Sequence, residues 1–343
     1  MQVLVDGARQ SAVASKVSLP PFISFRDGSL DAVSLGKLAG FIRRGAYKSG
    51  WLKGLNPTFR EQLDQDEKPT QSVFMVGQLV VLDRLCRYNW LPLNAECGGT
   101  CTLTNCGRSS YTVACAVDAP AVSDVSGPLT HAGYAVHSFV TIDLATRRPA
   151  QINEGARQEA AVALDALAQD PEGSKLKDKA TLSRLAPAMR PGGETPHFRF
   201  SSRVRPYSDF DFNGHLNQGV YVSLALDGML AFGVYAKEEQ DASTSWLRDF
   251  VSGVNVHVRG IRVDYLKEVA DPQAALTVEL WDARGSTAVN EQAFVQELAR
   301  IGSDAGDSSC PIWFEVSSSS PSAGEALNAI GILVVNGPER STA

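Results

Sequence analysis

The stretch Tyr207-Ser208-Asp209-Phe210-Asp211-Phe212-Asn213-Gly214-His215-Leu216-Asn217-Gln218-Gly219-Val220-Tyr221 gathers carboxylates, amides, an imidazole and a glycine directly before an apolar run. In an extended chain, Asp209 and Asp211 share one face while Phe210 and Phe212 turn to the core. Gly214 lets the backbone approach a ligand closely. The helix that follows directs its first N–H groups toward whatever lies beside it. Gly214 and Leu216 are therefore candidates to present backbone N–H groups to a developing oxyanion.

Working outward, residues 216–236 read as a helix that is apolar on almost every face, which predicts burial nearly all round. Residues 197–204 alternate as a strand delivering the polar stretch, and 254–264, 274–281, 294–301, 312–317 and 330–335 read as further strands. One strand, one buried helix and several strands predict a sheet wrapped around a helix. The first half repeats that order, with a strand at 21–25, a helix at 35–46 and strands at 73–82, 101–104, 110–117 and 134–144. Val81-Leu82-Asp83-Arg84-Leu85 echoes Arg262-Val263-Asp264-Tyr265-Leu266, consistent with internal duplication. Between the halves lies an alanine-rich helical segment, followed by Pro187, Pro191, Gly192, Gly193 and Pro196. The expected organisation is a first domain at 1–153, a helix-bearing linker at 154–193 and a second domain at 194–343.

Composition bounds the function. The chain has 343 residues, 44% hydrophobic and 20% charged, enough for two substantial cores. A net charge of −6 argues against a general nucleic-acid binder. No apolar run reaches the ~20 residues of a membrane span. Residues 1–6 do not read as a secretory signal, so a cytosolic or organellar setting is expected. Cys97, Cys101 and Cys106 cluster without a Cys-x-x-Cys pair or a nearby histidine, which favours thiols packed in strands over a metal site. No serine-hydrolase elbow, phosphate loop, dinucleotide fingerprint or zinc-protease motif is present. No cofactor and no metal are called for.

The polar stretch resembles the Asp-x-Asp-x-x-Gly-His-x-Asn-Asn-x-x-Tyr motif of hotdog-fold thioesterases. Asp209, Asp211, Gly214, His215, Asn217 and Tyr221 match, while Gln218 replaces the second Asn. The chain is more similar still to fatty acyl-carrier-protein thioesterases, which carry two hotdog repeats. That resemblance implies an α+β protein of two tandem hotdog domains, each an antiparallel sheet around a central helix and together forming an internal pseudo-dimer. It places Asp211, Asn213 and His215 on the family's catalytic Asp, Asn and His. Val263-Asp264-Tyr265-Leu266-Lys267-Glu268-Val269 is similar to the strand carrying the second catalytic acid, which puts Glu268 there and Val269 where that family has cysteine. Residues 22–51 hold no counterpart of Asn213-Gly214-His215, so the site is expected in the second half only.

The implied reaction is hydrolysis of acyl thioesters of coenzyme A or of an acyl carrier protein. Asp211 serves as base or nucleophile, or else forms an Asx turn or helix cap. Asn213 orients water or substrate, or merely makes a turn. His215 bonds the carboxylate or transfers a proton, or is structural at a helix start. Gly214, Leu216, Asn217, Tyr221 and Asp227 line the substrate side, with Asp227 in the helix as either a tuning acid or a satisfied buried one. Arg43, Arg44, Lys48 and Lys53, with Arg199, Arg203 and Arg205, offer a basic approach to an acidic carrier. The competing readings are a catalytically silent acyl-thioester-binding protein and a hotdog dehydratase or hydratase.

Overall fold

The computed structural model describes residues 1–6, 11–18, 29–55, 70–83, 86–87, 96–121, 124–171, 177–178, 180, 195–210, 214–239, 257–283 and 309–336. The strands expected at 21–25 and 294–301 lie outside the described residues. The chain divides into two compact units, Met1–Leu30 with Ser34–Arg184, and Asp31–Val33 with Leu185–Ala343.

In the first unit the strands are β1 (Gln2–Asp6), β2 (Ser11–Ser18), β3 (Ser29–Leu30), β4 (Gln71–Leu82), β5 (Cys86–Arg87), β6 (Glu96–Cys106), β7 (Ser110–Ala121) and β8 (Asp124–Asp143). Its helices are α1 (Ala32–Lys48) and α2 (Glu154–Gln169). The antiparallel order is β1-β2-β6-β7-β8-β4, and β3 pairs with β5. Leu35, Leu38, Ala39, Ile42 and Ala46 recur at helical spacing and are fully buried. Ile42 lies so close to β6 that a Cβ at Gly99 would sit 2.9 Å from its Cδ1. Arg43 follows it inward, with its guanidinium carbon 4.4 Å from the Phe139 ring centroid, and Phe139 stacks on Tyr111 at 5.0 Å. Cys101 and Cys115 face each other in register across β6 and β7 as thiols, their sulfurs 2.7 Å apart.

The helix read as part of a linker begins where Asn153 caps it, accepting from the Gly155 N–H at 2.9 Å. It packs its Ala156, Ala160, Ala163 and Leu167 face within the first unit, against β6 and the short 3₁₀ turn Lys53–Leu55.

In the second unit, β9 (Phe198–Arg203) leads through one helical turn, Pro206–Asp209, to α3 (Gln218–Glu239). Then come β10 (His257–Tyr265), β11 (Ala275–Asp282), β12 (Ser309–Ser320) and β13 (Gly324–Asn336). The antiparallel order is β10-β13-β12-β11-β9. Substituting β4, β8, β7, β6 and β2 position by position gives the path of the first unit, so the two halves share one topology. Each is a hotdog fold: a helix follows the first strand of the core sheet, and four further strands complete it.

Tyr221, Ala225, Met229 and Phe232 form the best-buried stripe of α3, which packs on β9, β11 and β12. The expectation of burial all round is corrected. Asp227 is exposed, as are Val234 and Tyr235, because the sheet covers only the stripe side. No described helix is long and apolar enough to cross a membrane.

The second sheet carries an irregularity. Along β12 and β13, Val316 faces Ala329 but Ser317 faces Leu327. Asn328 is therefore an inserted residue, a β-bulge.

Candidate active site

Residues 206–209 fold as a helical turn, not as the extended strand the alternation suggested. Pro206 opens this turn and Asp209 ends it, and Phe210 then bridges to Leu216 in antiparallel fashion. Asp209 faces inward, 4% exposed, contrary to the reading that only the rings do so. Its carboxylate accepts from the Arg205 N–H at 2.8 Å and the Ser208 hydroxyl at 2.8 Å, with the Arg205 guanidinium at 3.3 Å. Burial pushes the Asp209 carboxyl up, but these donors prevail and hold it below the usual range. The first carboxylate of the motif thus ties the turn together.

Asp211 and Asn213, read as catalytic, lie outside the described residues. Gly214 has φ +75, a left-handed conformation that disfavours side chains. A Cβ there would meet nothing within 4 Å among the described residues, so it is the backbone conformation, not a crowding neighbour, that favours the glycine.

His215 comes next, and its Nδ1 lies 3.5 Å from Glu268 Oε1, with side chains 18% and 33% exposed. The two are partly shielded and still reachable from solvent. The contact is fixed by the backbone beside it, since the Leu216 N–H donates to the Val269 carbonyl at 2.8 Å. That bond corrects one expectation: the Leu216 N–H is already committed and does not serve an oxyanion. Leu216 itself is buried, 4% exposed.

Asn217 acts as a helix cap. Its Oδ1 accepts from the Gly219 N–H at 2.9 Å and its carbonyl from the Val220 N–H at 2.8 Å. Its own N–H donates to the Asp209 carbonyl at 2.7 Å. The helix accordingly starts at Gln218 rather than at 216. Tyr221 is buried, with its hydroxyl hydrogen-bonded to the Val269 backbone; burial drives the phenol's pKa upward. Both motif residues, assigned to substrate from the sequence, have structural bonds. Asp227 is exposed on α3, not the buried carboxylate its apolar neighbours suggested.

Val269, where the resembling family has cysteine, is 3% exposed. Asp264 lies 3.3 Å from Arg262 on the same strand face. Of the proposed basic approach, Arg43 is withdrawn, being 6% exposed. Arg199 pairs with Glu279, and Arg205 with Asp209. Sequence reasoning missed Tyr265, whose hydroxyl donates to the Gln218 carbonyl at 3.3 Å, and Asn328.

The fold is that of two tandem hotdog domains, with the described polar groups of the motif in the second. No protein-family model matches the chain, and no curated protein matches its sequence. Among solved structures the fold is similar to that of the 12:0-ACP thioesterase from Umbellularia californica, at 12% identity and TM-score 0.62 over 96% of this chain and 98% of that one. It is also similar to an acyl-ACP thioesterase from Bacteroides thetaiotaomicron, at 15% identity and TM-score 0.56 over 95% and 98%. A third likeness, to an oleoyl thioesterase (putative) from Lactobacillus plantarum, has 12% identity and TM-score 0.55 over 96% of each chain.

Proposed function

We propose that this protein hydrolyses acyl thioesters, of an acyl carrier protein or coenzyme A, at a site in its second hotdog domain. The observation that carries the reading is the meeting of His215 Nδ1 and Glu268 Oε1 at 3.5 Å from two separate segments. A carboxylate beside one ring nitrogen helps to orient the imidazole. The other nitrogen is then set to exchange a proton with water or with the departing sulfur.

Asp211, which follows Phe210 in the sequence, acts as base or nucleophile toward the thioester carbonyl, and Asn213 orients water or substrate. The N–H of Gly214 is the donor proposed for the carbonyl oxygen, since that of Leu216 is committed. Water adds its oxygen to the acyl carbon, the carbon–sulfur bond breaks, and the thiolate takes a proton, giving acid and thiol. The solved structures to which the fold is similar are those of acyl-ACP thioesterases, which supports the reaction class.

The test is a panel of acyl-coenzyme A and acyl-carrier-protein substrates followed by released thiol. Turnover on at least one, lost in His215→Ala, is expected. Saturable binding without thiol release by a folded protein would replace this reading with that of an acyl-binding protein.

A further inference from the structure

Glu268 lies in an irregular segment after β10, and a carboxylate there needs something to hold it against His215. On one side the hold is the Leu216–Val269 bond. On the other it is Asn328. The β10–β13 ladder ends with Tyr265 facing Ala329. Beyond it the Asn328 carbonyl accepts from two successive amides, Leu266 at 2.8 Å and Lys267 at 3.2 Å. The Asn328 side chain completes the hold, its Nδ2 donating to the Lys267 carbonyl at 3.1 Å.

Three bonds thus run from one residue to the two positions preceding Glu268. The Leu266 bond continues the β10–β13 register one step beyond Tyr265 and Ala329, and the same residue is the one inserted relative to β12. A bulge re-aims a side chain that a regular strand would commit to the alternating pattern. Asn328 is 1% exposed. A buried primary amide amid Leu327, Ala329, Ile330 and Ile332 is costly unless its polar atoms are used. The Nδ2 bond to the Lys267 carbonyl uses the donor half of that amide, while its Oδ1 has no hydrogen-bond partner among the described residues.

We infer that Asn328 is a positioning residue for Glu268, holding the 266–268 segment so that the carboxylate meets His215. This rests on the thioesterase reading for its effect on rate, but not for its effect on the His215–Glu268 contact.

The experiment uses the full chain with ¹⁵N-labelled histidine and the variants Asn328→Ser, Asn328→Leu and Glu268→Gln. Serine is too short to span to the Lys267 carbonyl and leucine lacks the donor, so one of the two suffices if the other does not fold. The His215 ring resonances are expected to move in the same direction in the Asn328 variants as in Glu268→Gln, with those of His131 and His137 unmoved. On the best thioester, kcat should fall about tenfold or more with KM within about twofold. The double variant with Glu268→Gln should be no slower than Glu268→Gln alone, because residues acting as one unit are non-additive. His215 resonances unchanged in a folded Asn328 variant, while Glu268→Gln moves them, would overturn the inference. So would multiplicative losses in the double variant. If the protein turns over no thioester, the resonances alone decide.

Discussion

Tyr221 and Tyr265 meet edge to face, ring centroids 5.6 Å apart and planes at 62°. Their hydroxyls work in opposite directions across the same joint. That of Tyr221, on α3, reaches the Val269 backbone, while that of Tyr265, at the end of β10, donates to the Gln218 carbonyl at the start of α3. The pair locks the beginning of the helix to the segment bearing Glu268.

Tyr221→Phe keeps the ring contact and removes one buried hydrogen bond. A loss of about 0.5–1.5 kcal/mol in unfolding free energy is expected, measured by urea denaturation. Turnover should drop far less than in His215→Ala. An equal drop would place the hydroxyl in the chemistry instead of in the joint.

For the proposed catalytic groups, Asp211→Asn, His215→Ala and Glu268→Gln are each expected to lower kcat by ~10²–10⁴-fold, with circular dichroism unchanged. The His215 and Glu268 losses should overlap in the double variant, as expected for groups in contact. Near-normal turnover in Asp211→Asn would remove that residue from the mechanism.

A pH dependence of stability is built into the first unit. The His131 ring lies between Asp83 Oδ2 at 2.6 Å and Asp118 Oδ1 at 3.5 Å. Hydrogen bonding with Asp118 and then Asp83 raises its pKa from 6.5 to about 9, against the opposing effect of burial. A folded-state pKa above the unfolded one gives stability that is complete below about 6.5 and lost as pH rises through about 9. The Tm gap between wild type and His131→Gln should be widest near pH 6 and close to nil by about pH 10. It should be modest, because the imidazole is partly exposed and screened. A gap that does not change with pH would assign the contact to packing.

Arg43 gives a stabilising substitution. Its guanidinium is buried over Phe139, and no carboxylate among the described residues pairs with it. Arg43→Met keeps much of the packing and removes a charge that burial penalises, so a gain of about 1–4 kcal/mol is expected. Thioester turnover should be unaffected. A loss of stability would show that the contact with Phe139 outweighs desolvation.

Much of the architecture was readable from periodicity. The apolar spacing of α1 and α3 and the alternation of β4, β7, β10 and β11 follow from the needs of burial. Even the faint echo around Asp83 and Asp264 begins in the last residues of the first strand after each core helix. β1 and β2 escaped, because the small polar residues of Ser11–Ser18 carry little strand preference. At the site, His215 and Glu268 were legible as side-chain chemistry and are brought together. The commitment of the Leu216 N–H was not legible, since a backbone donor has no sequence signature of its partner. Asn328 had one weak signal, a lone amide in an apolar strand. Its meaning depends on a ladder shift that appears only once β12 and β13 are paired.

That shift carries a consequence for how the protein can change. Removing residue 328 would merge the two registers of the β12–β13 hairpin into one unbroken ladder, a more regular sheet. It would also take away the side-chain amide that donates to the Lys267 carbonyl. Selection for sheet regularity alone would therefore erase the hold on Glu268, and a single-codon deletion that left a sound hairpin would separate foldedness from activity in one step.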